Sequence, residues 1–568
     1  MMKAILLLLL SFGAASAATP TTAIKVDQVG YLSGSTKVAM VVSNTGPIDF
    51  TIRQTSDDSI AFRGKLAAQV FDENSGDRVQ AADFTKLTQS GTYYLEVRGV
   101  GRSWNFAIGP DIYSRAFYLT MRSFYGQRCG TAVDLGPEFD GYTHAACHLE
   151  GAYHASSGRT GPRASAKGWH DAGDYGRYVV NSGLSTGTLL WTWELFGARV
   201  RSINLHLPET GNSTPDILNE IRWNLDWMLS MQDTDGGVWQ KQTSEEFAAF
   251  VMPEQDKSVS YVIGTGQEPY KSSCATADFA AVMAIAARVY QPFDAAYARR
   301  CLNAARMAWR WLDQNPSVLF RRNPQGVGTG AYQDSDCGDE HLWAAAELWR
   351  TTGEEAYQGY FLAHYGAYLK MIRATGPQSW GNVAPMALWT YVLGQGKERA
   401  ASVAIREASL RAADEIVLRS GRNGYGISMT GMDYVWGSNG VAANYGVQLL
   451  VANILRPDKR YVQTALDNLH YLLGRNALSL SFVTRVGENP LRHPHHRPSE
   501  ADQHPEPWPG LLAGGPNRTR SDSAMQKLQD LPPARMYLDE TASYATNEVA
   551  INWNAPLVFL IAGAGLRH

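Results

Sequence analysis

Over roughly the first hundred residues apolar and polar positions alternate, and beyond about residue 110 the apolar positions recur every three or four. Phe50-Thr51-Ile52 and Tyr93-Tyr94-Leu95-Glu96-Val97-Arg98 alternate with β-branched and aromatic enrichment, and Asn44-Thr45-Gly46-Pro47 and Ser90-Gly91 are turn signals. Strands at this spacing predict an all-β sandwich over residues 22–108, about 85 residues and in the size range of an immunoglobulin-like domain. This segment has no cysteine and no cluster of catalytic residue types. A module packed against its neighbour is the plain reading, and a glycan-binding module the sharper one.

Gly109-Pro110-Asp111 marks a boundary, and residues 113–568 are predicted to be helical. Thr214 as N-cap and Pro215 at the first helical position open a helix that aligns Ile217, Ile221, Leu225 and Met228 on one face. Similar runs begin near Thr276, Asp294, Asp339, Val403, Asn439 and Tyr461, with another at the end of the chain. About a dozen helices without a parallel sheet fit either a helical solenoid or a closed ring of helical hairpins. Loops at one end would then build the site.

The chain of 568 residues is 45% hydrophobic and 18% charged, a globular composition, and a formal net charge of -3 excludes a broad basic surface for nucleic acid or anionic membrane. Sixteen Trp and 27 Tyr favour an uncharged sugar as ligand. Lys3, the apolar run Ala4–Leu10 and Ala15-Ser16-Ala17 read as a signal peptide over residues 1–17, so the mature protein is expected to be exported, extracellular or periplasmic, and not membrane-bound. With five cysteines in an oxidising compartment, at least one has no disulfide partner within the chain.

Five groups of residues carry chemistry. In Gly168-Trp169-His170-Asp171-Ala172-Gly173-Asp174-Tyr175-Gly176-Arg177-Tyr178, two carboxylates lie among glycines and aromatics, which suits a loop facing a sugar ring and a water and equally an Asx-turn. Cys129, Cys147, His148 and His170 have the donor chemistry of a closed tetrahedral zinc site, with a Cys129–Cys147 disulfide as the rival. Asp334-Ser335-Asp336-Cys337-Gly338-Asp339-Glu340 gathers four carboxylates that either a calcium ion or a solvated helix start would accommodate. Finally, His493-Pro494-His495-His496-Arg497 is a donor-rich loop, and Glu548 precedes an apolar run, Val549–Ile561, where desolvation would raise its pKa unless it merely caps the helix.

Taken together, Asp171-Ala172-Gly173-Asp174-Tyr175-Gly176, the segment Ser481–Arg497 and the segment Tyr537–Ala555 resemble glycoside hydrolase family 9, the inverting cellulase family, in the subgroup with an N-terminal immunoglobulin-like domain. The resemblance covers essentially the whole mature chain and implies an (α/α)6 barrel with an open cleft. It implies Asp174 as general base, Asp171 as the partner holding the attacking water and Glu548 as general acid. His495 and Arg497 match a substrate-contacting pair, Trp436 and Tyr544 are further substrate-binding candidates, with Trp436 as cleft wall, and Asp539 matches an acidic position of unassigned role. In the same subgroup Cys129, Cys147, His148 and His170 look like a structural zinc site, and Ser335, Asp336, Asp339 and Glu340 like part of a calcium site, with no organic cofactor.

The implied activity is that of a monomeric, secreted endo-β-1,4-glucanase acting on cellulose-like or mixed-linkage β-glucans. Within the family the rival is an exo-acting cellobiohydrolase, glucosidase or glucosaminidase. From other classes stand a non-catalytic glycan-binding protein, against which the presence of both Asp174 and Glu548 speaks, and a zinc hydrolase, whose nucleophilic water four protein ligands would exclude. Inversion needs acid and base on opposite ring faces, roughly 6.5–9.5 Å apart, which favours carboxyls from distant segments.

Overall fold

The structure is a computed structural model, and it describes residues 19–43, 48–394 and 396–566. The predicted signal peptide and the Asn44–Pro47 turn lie outside the described residues.

Two sheets form the N-terminal part. One runs Ile24–Lys25, Val38–Val42, Asp77–Asp83, Val70–Asp72 in spatial order, and the other Gly30–Leu32, Phe106–Gly109, Gly91–Val97, Asp49–Gln54, Ile60–Lys65. Phe50 pairs with Val97 and Ile52 with Leu95. All four are buried, because alternate positions of each strand turn towards the same apolar filling, which Tyr31, Phe84 and Phe106 complete.

Twelve long helices follow among the described residues: α1 (Ser114–Gly126), α2 (Val179–Val200), α3 (Asp216–Ser230), α4 (Ser273–Tyr290), α5 (Ala295–Gln314), α6 (Gly338–Thr352), α7 (Glu355–Tyr368), α8 (Ala384–Leu393), α9 (Arg399–Ser420), α10 (Ser438–Leu455), α11 (Lys459–Leu472) and α12 (Ile551–Leu560). The even-numbered helices are buried on most of their faces, whereas α5 and α11 bury one stripe and leave the other wet. Neighbours in space run α10, α12, α2, α4, α6, α8. Helix α4 is long and apolar enough to cross a membrane, yet 94% of it is buried inside the protein, as befits a core helix. Helix α3 starts one residue later than its sequence signals, with Pro215 as N-cap, and Ile217, Ile221, Leu225 and Met228 are all buried as the spacing predicts.

One element is absent from the sequence reading. A five-stranded sheet, Pro162–Ala164, Glu150–Tyr153, Ser260–Ile263, Lys241–Thr243, Arg177–Tyr178 in spatial order, sits within the helical part. Strands of two to four residues are too short to print an alternation. The sheet nevertheless matters, because one of its edges leads out of the Asp171–Asp174 loop.

The two parts are joined by buried polar contacts. Asp27 of the sandwich accepts hydrogen bonds from Val29 N, Gly30 N, Tyr113 OH and the imidazole Nδ1 of His470 on α11, the last at 2.8 Å. Asp77 pairs with Arg535 at 2.7 Å.

Candidate active site and metal centre

The Gly168–Tyr178 loop runs from the end of a buried turn into the Arg177–Tyr178 strand, and its backbone is pinned at several points. Asp171 N donates to Gly176 O at 2.9 Å, which closes the turn around the two aspartates, and Ile551 N donates to Asp171 O at 2.9 Å. That second bond ties the start of α12 to the loop. Gly173 is required by close approach: a Cβ there would stand 1.8 Å from His495 O. Gly176 is required likewise, since its Cβ would meet Tyr178 OH at 2.6 Å.

Asp171 is buried, and both of its oxygens are held. Oδ1 accepts from Asn181 Nδ2 at 2.6 Å and Oδ2 from Tyr332 OH at 2.6 Å. Burial pushes its pKa up to about 7 against the opposing pull of these two donors, with a smaller upward push from the Asp174 charge. Asp174 accepts from Gly176 N through Oδ2 at 2.9 Å, with Tyr178 OH 3.5 Å from the same oxygen. Among the described residues none donates to its Oδ1. Glu548 lies at the C-cap of a short helix, Tyr544–Asn547, and Oε2 accepts from Trp436 Nε1 at 3.1 Å. Burial, then the charges of Asp174 and Asp171, raise its pKa well above the usual carboxylate range.

All three carboxyls line one open cleft of about 620 Å³, with Tyr332, Trp380, Trp436, Trp553 and Phe247 in its walls. Trp436 is 44% exposed and its ring stands 5.2 Å from that of Tyr544. A protonated acid and an ionised base facing one water-accessible cleft can carry out general acid–base hydrolysis.

The other expected residues are placed as follows. His495 pairs with Glu548 across a parallel bridge and its Nδ1 contacts Thr541 O at 2.6 Å. Arg497 directs Nη1 to Gly173 O at 2.9 Å and Nε to Ala248 O at 2.8 Å, so its guanidinium grips the aspartate loop. Asp539 accepts from Arg492 N and His493 N, both at 2.8 Å, and from Asn547 Nδ2 at 3.0 Å, and so staples the histidine loop to the residue before Glu548.

Cys129, Cys147, His148 and His170 come together with their ligand atoms all within 4.8 Å of one another. Cys129 Sγ is 3.9 Å from His148 Nδ1 and Cys147 Sγ 3.7 Å from His170 Nε2. Neither cysteine is in a disulfide. Two thiols and two imidazoles at this spacing suit the edges of one tetrahedral metal ion. His148 Nε2, turned away from the group, meets Asp256 Oδ2 at 3.1 Å, the outer carboxylate that commonly orients a metal-binding imidazole.

Ser335 and Asp336 lie on an exposed turn, and Asp339 Oδ2 accepts from Val383 N and Ala384 N at 2.8 and 3.2 Å. Glu340 is fully buried and, among the described residues, no donor reaches either of its oxygens, which is also true of Asp278 on α4. Cys337, at the start of α6, forms a disulfide with Cys274 that joins the beginnings of α4 and α6. Sequence spacing offered no sign of this pair, since 63 residues separate its members.

Tyr332 and Asn181, which clamp Asp171, also belong to the site, and no sequence signal pointed to them. Lys241 and Gln240 hold the turn that delivers Tyr332, and no local motif marks any of the four.

The fold and the cleft define a carbohydrate-cleaving enzyme with an appended β-sandwich. The model of glycosyl hydrolase family 9 matches residues 113–561 and that of the cellulase N-terminal ig-like domain residues 19–102; the chain belongs to glycosyl hydrolase family 9. Endoglucanase D of Acetivibrio thermocellus is 38% identical over 95% of this chain and 83% of its own length, and a cellodextrinase of Butyrivibrio fibrisolvens 34% identical over 95% and 98%. Among solved structures, a Zn-binding triple mutant of the family 9 endoglucanase J30 superimposes with a TM-score of 0.85 at 34% identity, covering 94% of this chain and 99% of that one.

Proposed function

We propose that the protein is an endo-acting β-1,4-glucanase that hydrolyses cellulose-like or mixed-linkage β-glucans with inversion. One observation carries this: Asp171, Asp174 and Glu548, up to 377 positions apart (548 minus 171), line a single open cleft with aromatic walls. The relatives that are an endoglucanase and a cellodextrinase support the substrate class.

In this reading Asp174 is the general base. Its Oδ2 is fixed by Gly176 N, and Oδ1 is left to take a proton from the attacking water. Asp171, clamped by Asn181 and Tyr332, orients that water. Glu548, kept protonated by its surroundings, gives its proton to the leaving glycosidic oxygen as the water oxygen bonds to the anomeric carbon. Trp436 orients the acid and, with Tyr544 and His495, forms the wall along which the sugar lies.

The twelve helices form an (α/α)6 barrel in this reading, and the succession of packed even-numbered helices supports it. The chain divides near Gly109–Asp111, and the protein is exported and acts as a monomer. Cys129, Cys147, His148 and His170 hold zinc, whose contribution is structural because four protein ligands leave it no open position. Calcium sits at the start of α6 with Asp339 and Glu340, and the donor-less oxygens of Glu340 support a cation there. Asp278, unforeseen in the sequence, is a further acid at that place: its charge, after burial and that of Asp339, raises the Glu340 pKa.

The test is the product profile on carboxymethyl cellulose and on short cello-oligosaccharides. A steep viscosity fall with few new reducing ends, and an α-anomer as first product by NMR, is the expected result. Release of monomer or dimer without a viscosity fall would replace endo by exo action. Asp174→Ala and Glu548→Ala should each lower turnover by orders of magnitude in a folded protein, and near-normal turnover in either would remove the assigned roles.

A further inference from the structure

Lys241 is fully buried, and its ammonium group donates to four oxygens: Asn323 Oδ1 at 2.8 Å, Thr329 O at 3.3 Å, Thr329 Oγ1 at 3.0 Å and Gly330 O at 2.8 Å. All four are neutral. Burying an ammonium without a paired carboxylate is costly, and a neutral amide would satisfy these oxygens with a smaller desolvation penalty. The charged form therefore needs a further source of stabilisation, and a lysine in such a place has a use that the hydrogen bonds do not explain.

What surrounds it identifies that use. Lys241 lies directly across from Tyr178 in the antiparallel pairing of their strands, and its Nζ is 5.6 Å from the centre of the Tyr178 ring, whose hydroxyl stands 3.5 Å from Asp174 Oδ2. The carbonyls it grips begin the turn Thr329–Tyr332. Gln240 takes the other half, with Nε2 donating to Ala331 O at 3.3 Å and Tyr332 O at 3.1 Å. Tyr332 at the end of this turn has a φ of 46°, a left-handed conformation that a bulky side chain avoids unless its surroundings impose it. Its hydroxyl then reaches Asp171 Oδ2.

We propose that Lys241 is a positioning residue for hydrolysis: with Gln240 it forces the turn that sets Tyr332 on Asp171, and its charge, behind Tyr178, is the counter-cation of Asp174. The inference rests on the assignment of the two aspartates given above. The titratable groups that act on Asp174 are Asp171 on the same loop, Tyr178 and Lys241 on the paired strands, His495 packed against Gly173, and Glu548 in the cleft, with Tyr332 beside Asp171. Burial lowers the Lys241 pKa to about 7, and the Asp174 charge is what opposes that fall.

Two variants separate the parts of the idea. Lys241→Gln keeps donors for the turn and removes the charge, whereas Lys241→Met removes both. On the full-length protein, with carboxymethyl cellulose or a soluble cello-oligosaccharide, Lys241→Gln should move the acid limb of kcat/KM to higher pH by about one unit, because a carboxylate that loses a nearby cation ionises less readily. Lys241→Met should in addition lower kcat by about tenfold or more, with KM nearly unchanged. In a double-mutant cycle with Tyr332→Phe the losses in kcat should fall short of additive, as for residues acting through one contact.

A Lys241→Gln variant that melts as the parent does and keeps both kcat and the acid limb would overturn the counter-cation. Additive losses for Lys241→Met and Tyr332→Phe would overturn the action through the turn. If Lys241→Met does not fold, Gln240→Ala takes its place in the cycle, with the same sub-additivity expected. Asp174→Ala measured alongside keeps the two levels apart: loss of activity there with an unaltered Lys241→Gln sinks only the role of the lysine, while retained activity sinks the assignment of the aspartates.

Discussion

Tyr332 donates its phenolic hydrogen to Oδ2 of Asp171 at 2.6 Å, across 161 positions of chain. Because Asn181 holds the other oxygen, the carboxyl plane of Asp171 is fixed from both ends, and its freedom to rotate away from a water in the cleft is removed. Tyr332→Phe deletes one of the two restraints and little volume. The expected outcome is a fall in kcat of roughly 10- to 100-fold with KM nearly unchanged, since the lost contact orients the reacting water and not the glucan. A steady-state comparison at matched pH checks this, and an unchanged kcat would mean that Asn181 alone suffices.

The buried Asp171 also predicts how stability varies with pH. Its folded-state pKa, about 7, lies above the roughly 3.9 of an unfolded chain, so the folded form holds its proton more tightly. Stability from this group is therefore fully present below about pH 4 and is lost as pH rises through about 7, with an upper bound of roughly 4 kcal/mol. Asp171→Asn has no proton to lose and can keep both hydrogen bonds, its Oδ1 accepting from Asn181 and its Nδ2 donating to Tyr332. Thermal melts should show the variant gaining on the parent between pH 5 and 8 on the order of 1–4 kcal/mol, while its activity collapses. A stability difference that stays flat across that range would show that Asp171 is ionised at pH 5 already.

How far the sequence revealed this site follows from what each residue depends on. Asp171, Asp174 and Glu548 were legible because the chemistry needs carboxyls and because glycines and aromatics beside them leave a local signature. The cysteine and histidine group was legible for the same reason, its donor types being rare together. Tyr332, Lys241 and Gln240 were not, since each acts through a turn that only the folded sheet brings to the aspartates. Arg497 was legible as a conspicuous cation, but its bond to the carbonyl of Gly173 was not, because that partner lies 324 positions away. For the fold, the sandwich and the half-buried helices α3, α5 and α11 printed their periods, whereas the short sheet that carries Lys241 was invisible to any pattern of period two.

Metal removal should act on the loop rather than on the chemical step. His170 is the residue next to Asp171, its N donates to Gln127 O at 2.7 Å, and Gln127 Nε2 in turn holds Ala172 O at 2.8 Å. A chelator that strips the zinc proposed for Cys129, Cys147, His148 and His170 should lower the melting temperature first, with activity lost in step with unfolding. Asp256→Asn should weaken metal retention by about 10- to 100-fold, as outer carboxylates on metal-bound imidazoles do. Metal content by elemental analysis after dialysis against a graded chelator, together with melts, checks both. A stripped protein that melts normally but is inactive would point to a catalytic metal.

Cys274 and Cys337 tie α4 to α6 where Asp278, Asp339 and Glu340 crowd together. Like charges in a buried place repel, and Glu340 and Asp278 lack any donor, so this corner of the core is held against its own electrostatics. A covalent link closing 63 positions of chain reduces the entropy of the unfolded state by an amount worth roughly 4 kcal/mol in the loop-closure model. Cys274→Ser should therefore lower stability by a few kcal/mol, and added calcium should recover part of it by binding between the carboxylates. Denaturant melts of parent and variant, each with calcium and with a chelator, separate the two effects. If calcium stabilises neither protein, the acids share protons instead of a cation, and lowering the pH towards 5 should then stabilise both.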